Sequence, residues 1–136
     1  FNMGINSSTR TMAVERPVYL DVVAQEFPKL KMIAGHGGWP WVAELMAVLW
    51  RNENIYLDIA SIEPRYLARP GTGWETLMHF GNSVLRDRVL FASTWLLMGK
   101  TIRQLADEVM LLPLKDEVKT GWLYDNAARL FGPSGS

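Results

Sequence analysis

A histidine closes an apolar run in the stretch IAGHGGWPW, Ile33 to Trp41, and two glycines and a proline follow it. An imidazole at a strand end could serve as a general acid or base or as a metal ligand, since the histidine side chain exchanges its proton near neutral pH. A hydrogen-bonded structural histidine is the alternative for His36. Gly35, Gly37 and Gly38 permit a tight turn, and the helix beginning near Pro40 would place its positive end beside it. Asp58, near the end of IYLDIA, is the one carboxylate at a strand terminus; it points into the sheet's inner face or toward the helix layer, for a substrate contact or a turn hydrogen bond. In EPRYLARPGTG, Arg65 and Arg69 flank Tyr66, so their guanidinium groups could clamp a carboxylate, with solvated loop charges as the plainer reading. Among the six tryptophans, Trp39 and Trp95 fall where they could border a site, and the others read as packing. His79 sits in a helical context and is expected to be exposed or half-buried.

These residues need strands that end together. Four short apolar runs, Phe1 to Ile5, Leu30 to His36, Ile55 to Ala60 and Arg88 to Thr94, alternate with helical patterns. Such alternation predicts βα units and a parallel sheet covered on both faces. After Pro40, the residues Val42, Leu45, Met46, Leu49 and Trp50 form one apolar stripe, and Ile102, Leu105, Ala106, Val109 and Met110 repeat the spacing. The segment Pro17 to Phe27 is expected to bury Tyr19, Val23 and Phe27. A shorter helix is expected over Trp74 to Phe80. The last helix, Asp116 to Phe131, is expected to bury Leu123, Ala127, Leu130 and Phe131, ahead of a disordered tail at 133–136. The fold class is thus α/β, a single domain over residues 1–132, with four βα units of a TIM-like (β/α)8 barrel.

Composition narrows the partners. The 136 residues are 49% hydrophobic and 21% charged, with fourteen basic against fourteen acidic side chains. A chain with no net charge lacks the electrostatic footprint of a nucleic-acid or anionic-membrane binder, and no run approaches the ~20 apolar residues of a membrane span. Without cysteine there is neither a disulfide framework nor a thiol nucleophile. A cytoplasmic location and a small-molecule substrate are expected. Half a barrel would expose strand edges, so either a homo-oligomer or an upstream half-barrel is expected to cover them.

The order of motifs then carries a resemblance. GIN, YLD, FPKLKMIAGHGGWPW, NIYLDIA, DRVLFASTW and NAARLFG run in sequence along nearly the whole chain. This resembles the C-terminal half of the amidohydrolase-related metal-dependent hydrolases, in the branch that includes aminocarboxymuconate-semialdehyde decarboxylase-like enzymes. The resemblance implies a (β/α)8 barrel with its site at the C-terminal strand ends. It also implies a divalent metal, zinc or manganese, held by a His-x-His pair on the first strand, a histidine on the fifth and an aspartate on the eighth.

Carried onto this chain, the resemblance makes His36 the sixth-strand histidine, acting as acid or base. The fifth-strand ligand position is Asn2 and the eighth-strand aspartate position is Thr94, while Leu96 stands where relatives have proline. An amide and a hydroxyl are neutral, weak ligands for zinc. The expected function is metal-dependent hydrolysis or non-oxidative decarboxylation of a small carbonyl or carboxylate compound, through His36 with Asp58, Arg65, Trp39 and Trp95 on the substrate. The alternative is a barrel that binds a ligand or partner subunit without metal or catalysis.

Overall fold

The computed structural model describes residues 1–4 and 11–132. Three parallel strands lie in the order β1 (Met32–Ala34), β2 (Ile55–Asp58) and β3 (Val89–Leu90). Met32 faces Ile55, Ala34 faces Leu57, and Leu57 in turn faces Val89. The run expected as a further strand at Phe1 to Ile5 contributes one isolated parallel bridge, Asn2 to Gly35. That bridge is reinforced by Gly35 N–H donating to Phe1 O (2.7 Å) and by the amino terminus donating to Ile33 O (2.8 Å). Ile5 and the tail at 133–136 lie outside the described residues.

Burial alternates along β1 and β2, whereas both residues of β3 are buried. Met32, Ala34, Ile55 and Leu57 are buried in a core shared with the helices, whereas Ile33, Tyr56 and Asp58 on the opposite face are half-buried. The sheet is therefore sealed on one face and only partly covered on the other, not buried on both. Period-two alternation puts Asp58 on that second face, away from the helix layer.

The helices are α1 (Val18–Glu26), α2 (Val42–Arg51), α3 (Glu75–Gly81), α4 (Trp95–Met98), α5 (Ile102–Met110), α6 (Asp116–Thr120) and α7 (Asn126–Phe131). Several expected faces are rotated. In α1 the buried residues are Leu20 and Ala24, while Tyr19 and Phe27 are exposed. The α2 stripe is buried at Val42, Leu45, Met46 and Leu49 as expected, but Val48 takes the place assigned to Trp50, which is 59% exposed. In α5 only Leu105 and Val109 are buried; Ile102 and Met110 face outward. Thr101 caps this helix reciprocally with Gln104, which fixes its start.

The last helix is not continuous α. A π-helical segment, Gly121–Asp125, joins α6 to α7, and the buried line is Val118, Trp122 and Asn126, with Phe131 exposed. Val118, Trp122 and Asn126 are four residues apart, the interval that keeps side chains on one helix face. Among the described residues, no helix is long and apolar enough to cross a membrane.

Candidate active site at the strand ends

Each of the three strands is followed by a non-glycine residue in left-handed backbone: His36 (φ 65°) after β1, Ser61 (φ 60°) after β2 and Thr94 (φ 42°) after β3. Such conformations cost about 1–3 kcal/mol each and persist only where surroundings impose them, commonly at functional sites. Here hydrogen bonds impose them. The His36 N–H donates to Asp58 Oδ1 (3.1 Å), and His36 Nδ1 lies 3.1 Å from the Ala60 carbonyl oxygen. A carbonyl only accepts, so that contact requires the proton on Nδ1. Both the N–H and the hydroxyl of Ser61 donate to Thr94 Oγ1, at 2.8 and 3.2 Å.

The remaining ring nitrogen, His36 Nε2, lies 3.1 Å from the Asn2 side-chain oxygen. With the amide turned over, its NH2 would donate to a lone pair on Nε2; as placed, the oxygen accepts from an Nε2–H. Asn2, the position expected to correspond to a fifth-strand ligand, is thus in contact with the histidine. The turn that follows His36 is close-packed. At Gly37 (φ 62°) an added Cβ would lie 2.7 Å from the Trp74 ring.

Above the strand ends lies a cavity of about 770 Å³, bordered by His36, Trp39, Ser61, Ile62, Glu63, Tyr66, Gly71, Thr72, Trp74 and Met98. Trp39 is pinned by its indole N–H, which donates to Thr72 O (2.9 Å). Glu63 is held by Lys100 (2.5 Å) and by Arg65 (2.7 Å), and Lys100 also binds Glu108. The hydrogen bond from Lys100, with the Arg65 charge beside it, holds the Glu63 carboxyl below the usual range, so the wall carries an ionised carboxylate. The Lys100 ammonium is pushed up by its bonds to Glu108 and Glu63.

Of the residues singled out from sequence, His36 and Trp39 line this cavity, and Asn2 touches His36. Asp58 sits behind the histidine, bound to two backbone N–H groups, one of them Ala60 N (2.9 Å). Arg65 lies outside the lining: it pairs with Glu63, and its side chain stacks over Tyr66, 4.9 Å from the ring centroid. Arg69 approaches the same ring at 6.0 Å. Trp95 is 52% exposed and also outside the lining, and His79 is exposed on α3. Sequence reasoning missed Ser61 and Trp74. A small polar residue just beyond a strand end was the available signal for Ser61; Trp74 gave none, because the same buried indole packs the core and walls the cavity.

Chemically, the mouth offers one imidazole with a fixed orientation, aromatic walls and several neutral hydrogen-bonding groups. Among the described residues, no three histidine, aspartate or glutamate side chains converge as a metal site would require.

Comparison with known proteins places this geometry. The chain resembles an uncharacterised TIM-barrel protein, Bb4693, from Bordetella bronchiseptica, with 28% identity and a TM-score of 0.80 over 96% of this chain and 43% of that one. The 2,6-dihydroxybenzoate decarboxylase from Rhizobium shares the fold at 20% identity and a TM-score of 0.60, over 92% of this chain and 43% of that one. The chain therefore spans less than half the length of either barrel, and its α/β fold is that of a partial barrel. A comparison with curated proteins gives no match. The amidohydrolase family model matches residues 2–132, nearly the whole described chain, and the chain belongs to the amidohydrolase family.

Proposed function

We propose that this chain supplies the acid–base half of an amidohydrolase-type site, acting on a small carbonyl or carboxylate compound by hydrolysis or non-oxidative decarboxylation. The observation that carries the proposal is His36: it ends a strand, borders the cavity and is oriented through Nδ1 by the Ala60 carbonyl. In this role Nε2 is the atom that gives or takes the substrate proton, after the substrate displaces the Asn2 amide. Trp39, Tyr66 and Trp74 offer flat apolar surface to a planar substrate, and Ser61 and Thr72 offer polar contacts. Further βα units, from a longer chain or a second copy, complete the barrel in the working protein. The coverage of less than half of each related barrel supports this.

Amidohydrolases usually employ a divalent metal. The donors present here do not fit one by themselves, because the amide of Asn2 is against His36 and Thr94 Oγ1 already accepts two hydrogen bonds from Ser61. The test is a His36→Gln substitution in the full protein, assayed for carbon dioxide release from 2,6-dihydroxybenzoate and related small carboxylates, and for hydrolysis of small lactones and amides. Activity should fall about 100- to 10,000-fold, with binding measured by tryptophan quenching changed far less. Undiminished turnover would remove His36 from the chemistry.

A second reading, a metal-free barrel that binds a ligand without catalysis, draws support from the neutral groups at Asn2 and Thr94. It predicts that Asn2→His with Thr94→Asp creates zinc binding, read by calorimetry, where the parent protein has none. Tight zinc binding by the parent would sink it.

A further inference from the structure

We propose that Asp58 is a positioning residue that fixes which nitrogen of His36 carries the proton. This rests on the reading of His36 as the acid–base group. Asp58 is the last residue of β2, on the half-buried face of the sheet, and it reaches across to the end of β1. One carboxylate oxygen, Oδ1, accepts from two backbone groups: His36 N–H at 3.1 Å and Ala60 N–H at 2.9 Å. The carbonyl of the same residue, Ala60, lies 3.1 Å from His36 Nδ1. A closed ring of contacts results, in which the same oxygen anchors both the histidine's backbone and the residue whose carbonyl faces its side chain.

The left-handed backbone at His36 (φ 65°) gives this ring its purpose. An L-residue at that φ is held there against its own preference, and the Asp58 bond to its N–H is the contact that holds it. Removing the carboxylate would leave a half-buried N–H without an acceptor, free the Ala60 turn and separate Nδ1 from its carbonyl. A histidine without that partner reverts to a mixture of tautomers. Asp58 does not itself line the cavity and holds the lining residue His36 by its backbone N–H, so its effect on chemistry passes through His36.

The test reads the tautomer directly in the full protein, with no substrate present. Nitrogen-15 labelled histidine is followed by long-range proton–nitrogen NMR in mildly alkaline buffer. The His36 signals are assigned by their loss in His36→Gln. With the Asn2 amide turned so that its NH2 donates to the ring, the parent protein should show a protonated Nδ1 and an unprotonated Nε2. Asp58→Ala should move the ring to a mixture with Nε2–H prominent, whereas Asp58→Asn, whose side-chain oxygen can still accept both N–H groups, should keep the parental pattern. A folded Asp58→Ala protein with an unchanged Nδ1–H would overturn the proposal. Should that variant not fold, the parent and Asp58→Asn decide: both should show a protonated Nδ1 and slow exchange of the His36 and Ala60 amide protons with solvent. An unprotonated Nδ1 in the parent, or fast exchange of either amide, would refute the clamp. Because neither measurement involves turnover, loss of catalysis on every substrate tried would count against the proposed function and leave this result standing.

Discussion

Replacing Gly37 with alanine tests whether the turn after β1 is as tightly built as its geometry requires. Gly37 has φ 62°, and a Cβ on it would meet Trp74 Cζ3 at 2.7 Å and Ile62 Cδ1 at 3.2 Å. Both neighbours wall the cavity, and Trp74 is a buried member of the core, so neither can simply swing into solvent. Two costs combine. A side chain in left-handed backbone costs about 1–2 kcal/mol. Forcing a methyl group into a packed wall adds about 1–3 kcal/mol.

Gly99 separates the two. It has nearly the same backbone (φ 63°) but nothing within 4 Å of an added Cβ, so Gly99→Ala meets only the first cost. The difference in unfolding free energy between Gly37→Ala and Gly99→Ala should therefore be about 1–3 kcal/mol, the packing term alone. Urea unfolding followed by far-ultraviolet circular dichroism measures it, with unchanged m-values required of both proteins. Tryptophan emission in Gly37→Ala should also shift, because the Trp74 ring must move, and should not in Gly99→Ala. Equal destabilisation of the two variants would show that the close approach at Trp74 is absent in solution.

Other perturbations follow from single contacts. Asn126 is buried and donates to the carbonyls of Arg86 (2.8 Å) and Val89 (2.7 Å), so Asn126→Ala orphans both and should cost about 2–4 kcal/mol in urea unfolding. Thr101→Ala removes the cap of α5 and should cost about 1 kcal/mol by the same measurement. The Glu63 carboxyl is held down by its bond from Lys100, so its contribution to stability is present above the ordinary carboxylate range and lost as pH falls through the lowered value. Acid should therefore loosen the 61–74 loop, seen as a change in tryptophan emission, and Lys100→Met should shift that change to higher pH; an identical profile in the two proteins would refute the link.

The features legible in the sequence were those that do not depend on which side a helix turns. The apolar runs at Leu30 to His36, Ile55 to Ala60 and Arg88 to Thr94 each contain a strand, shorter than the run, and His36 follows its strand as expected. The helix faces were harder. In α1, apolar side chains at Val18, Tyr19, Leu20, Val22, Val23 and Ala24 nearly encircle the axis, so periodicity alone does not choose Leu20 and Ala24. At the C-terminus Val118, Trp122 and Asn126 lie at i, i+4 and i+8, but a face sought by counting apolar residues passes over one that includes the polar Asn126. The NAARLFG motif carried a family likeness, but its structural meaning was invisible until Asn126 was seen bridging two carbonyls at β3. Arg65 shows a related difficulty at the site: whether a loop guanidinium meets a substrate or a nearby carboxylate depends on where Glu63 lies, two residues away in sequence and 2.7 Å away in space.

The mouth of the sheet departs from a cation site in its valences as well as its residue types. A threonine hydroxyl has two lone pairs and one proton, and both hydrogen bonds from Ser61 converge on Thr94 Oγ1. Its acceptor capacity is spent, and only the proton remains to be offered. Binding a cation there would break two hydrogen bonds that hold Ser61 and Thr94 in left-handed backbone, besides separating Asn2 from His36. An oxygen acceptor makes no such demand, because it can accept from the Thr94 hydroxyl with the Ser61 contacts intact. The strain at the three strand ends is therefore tied to a hydrogen-bond network in which the Thr94 hydroxyl keeps a donor, and not an acceptor, to offer.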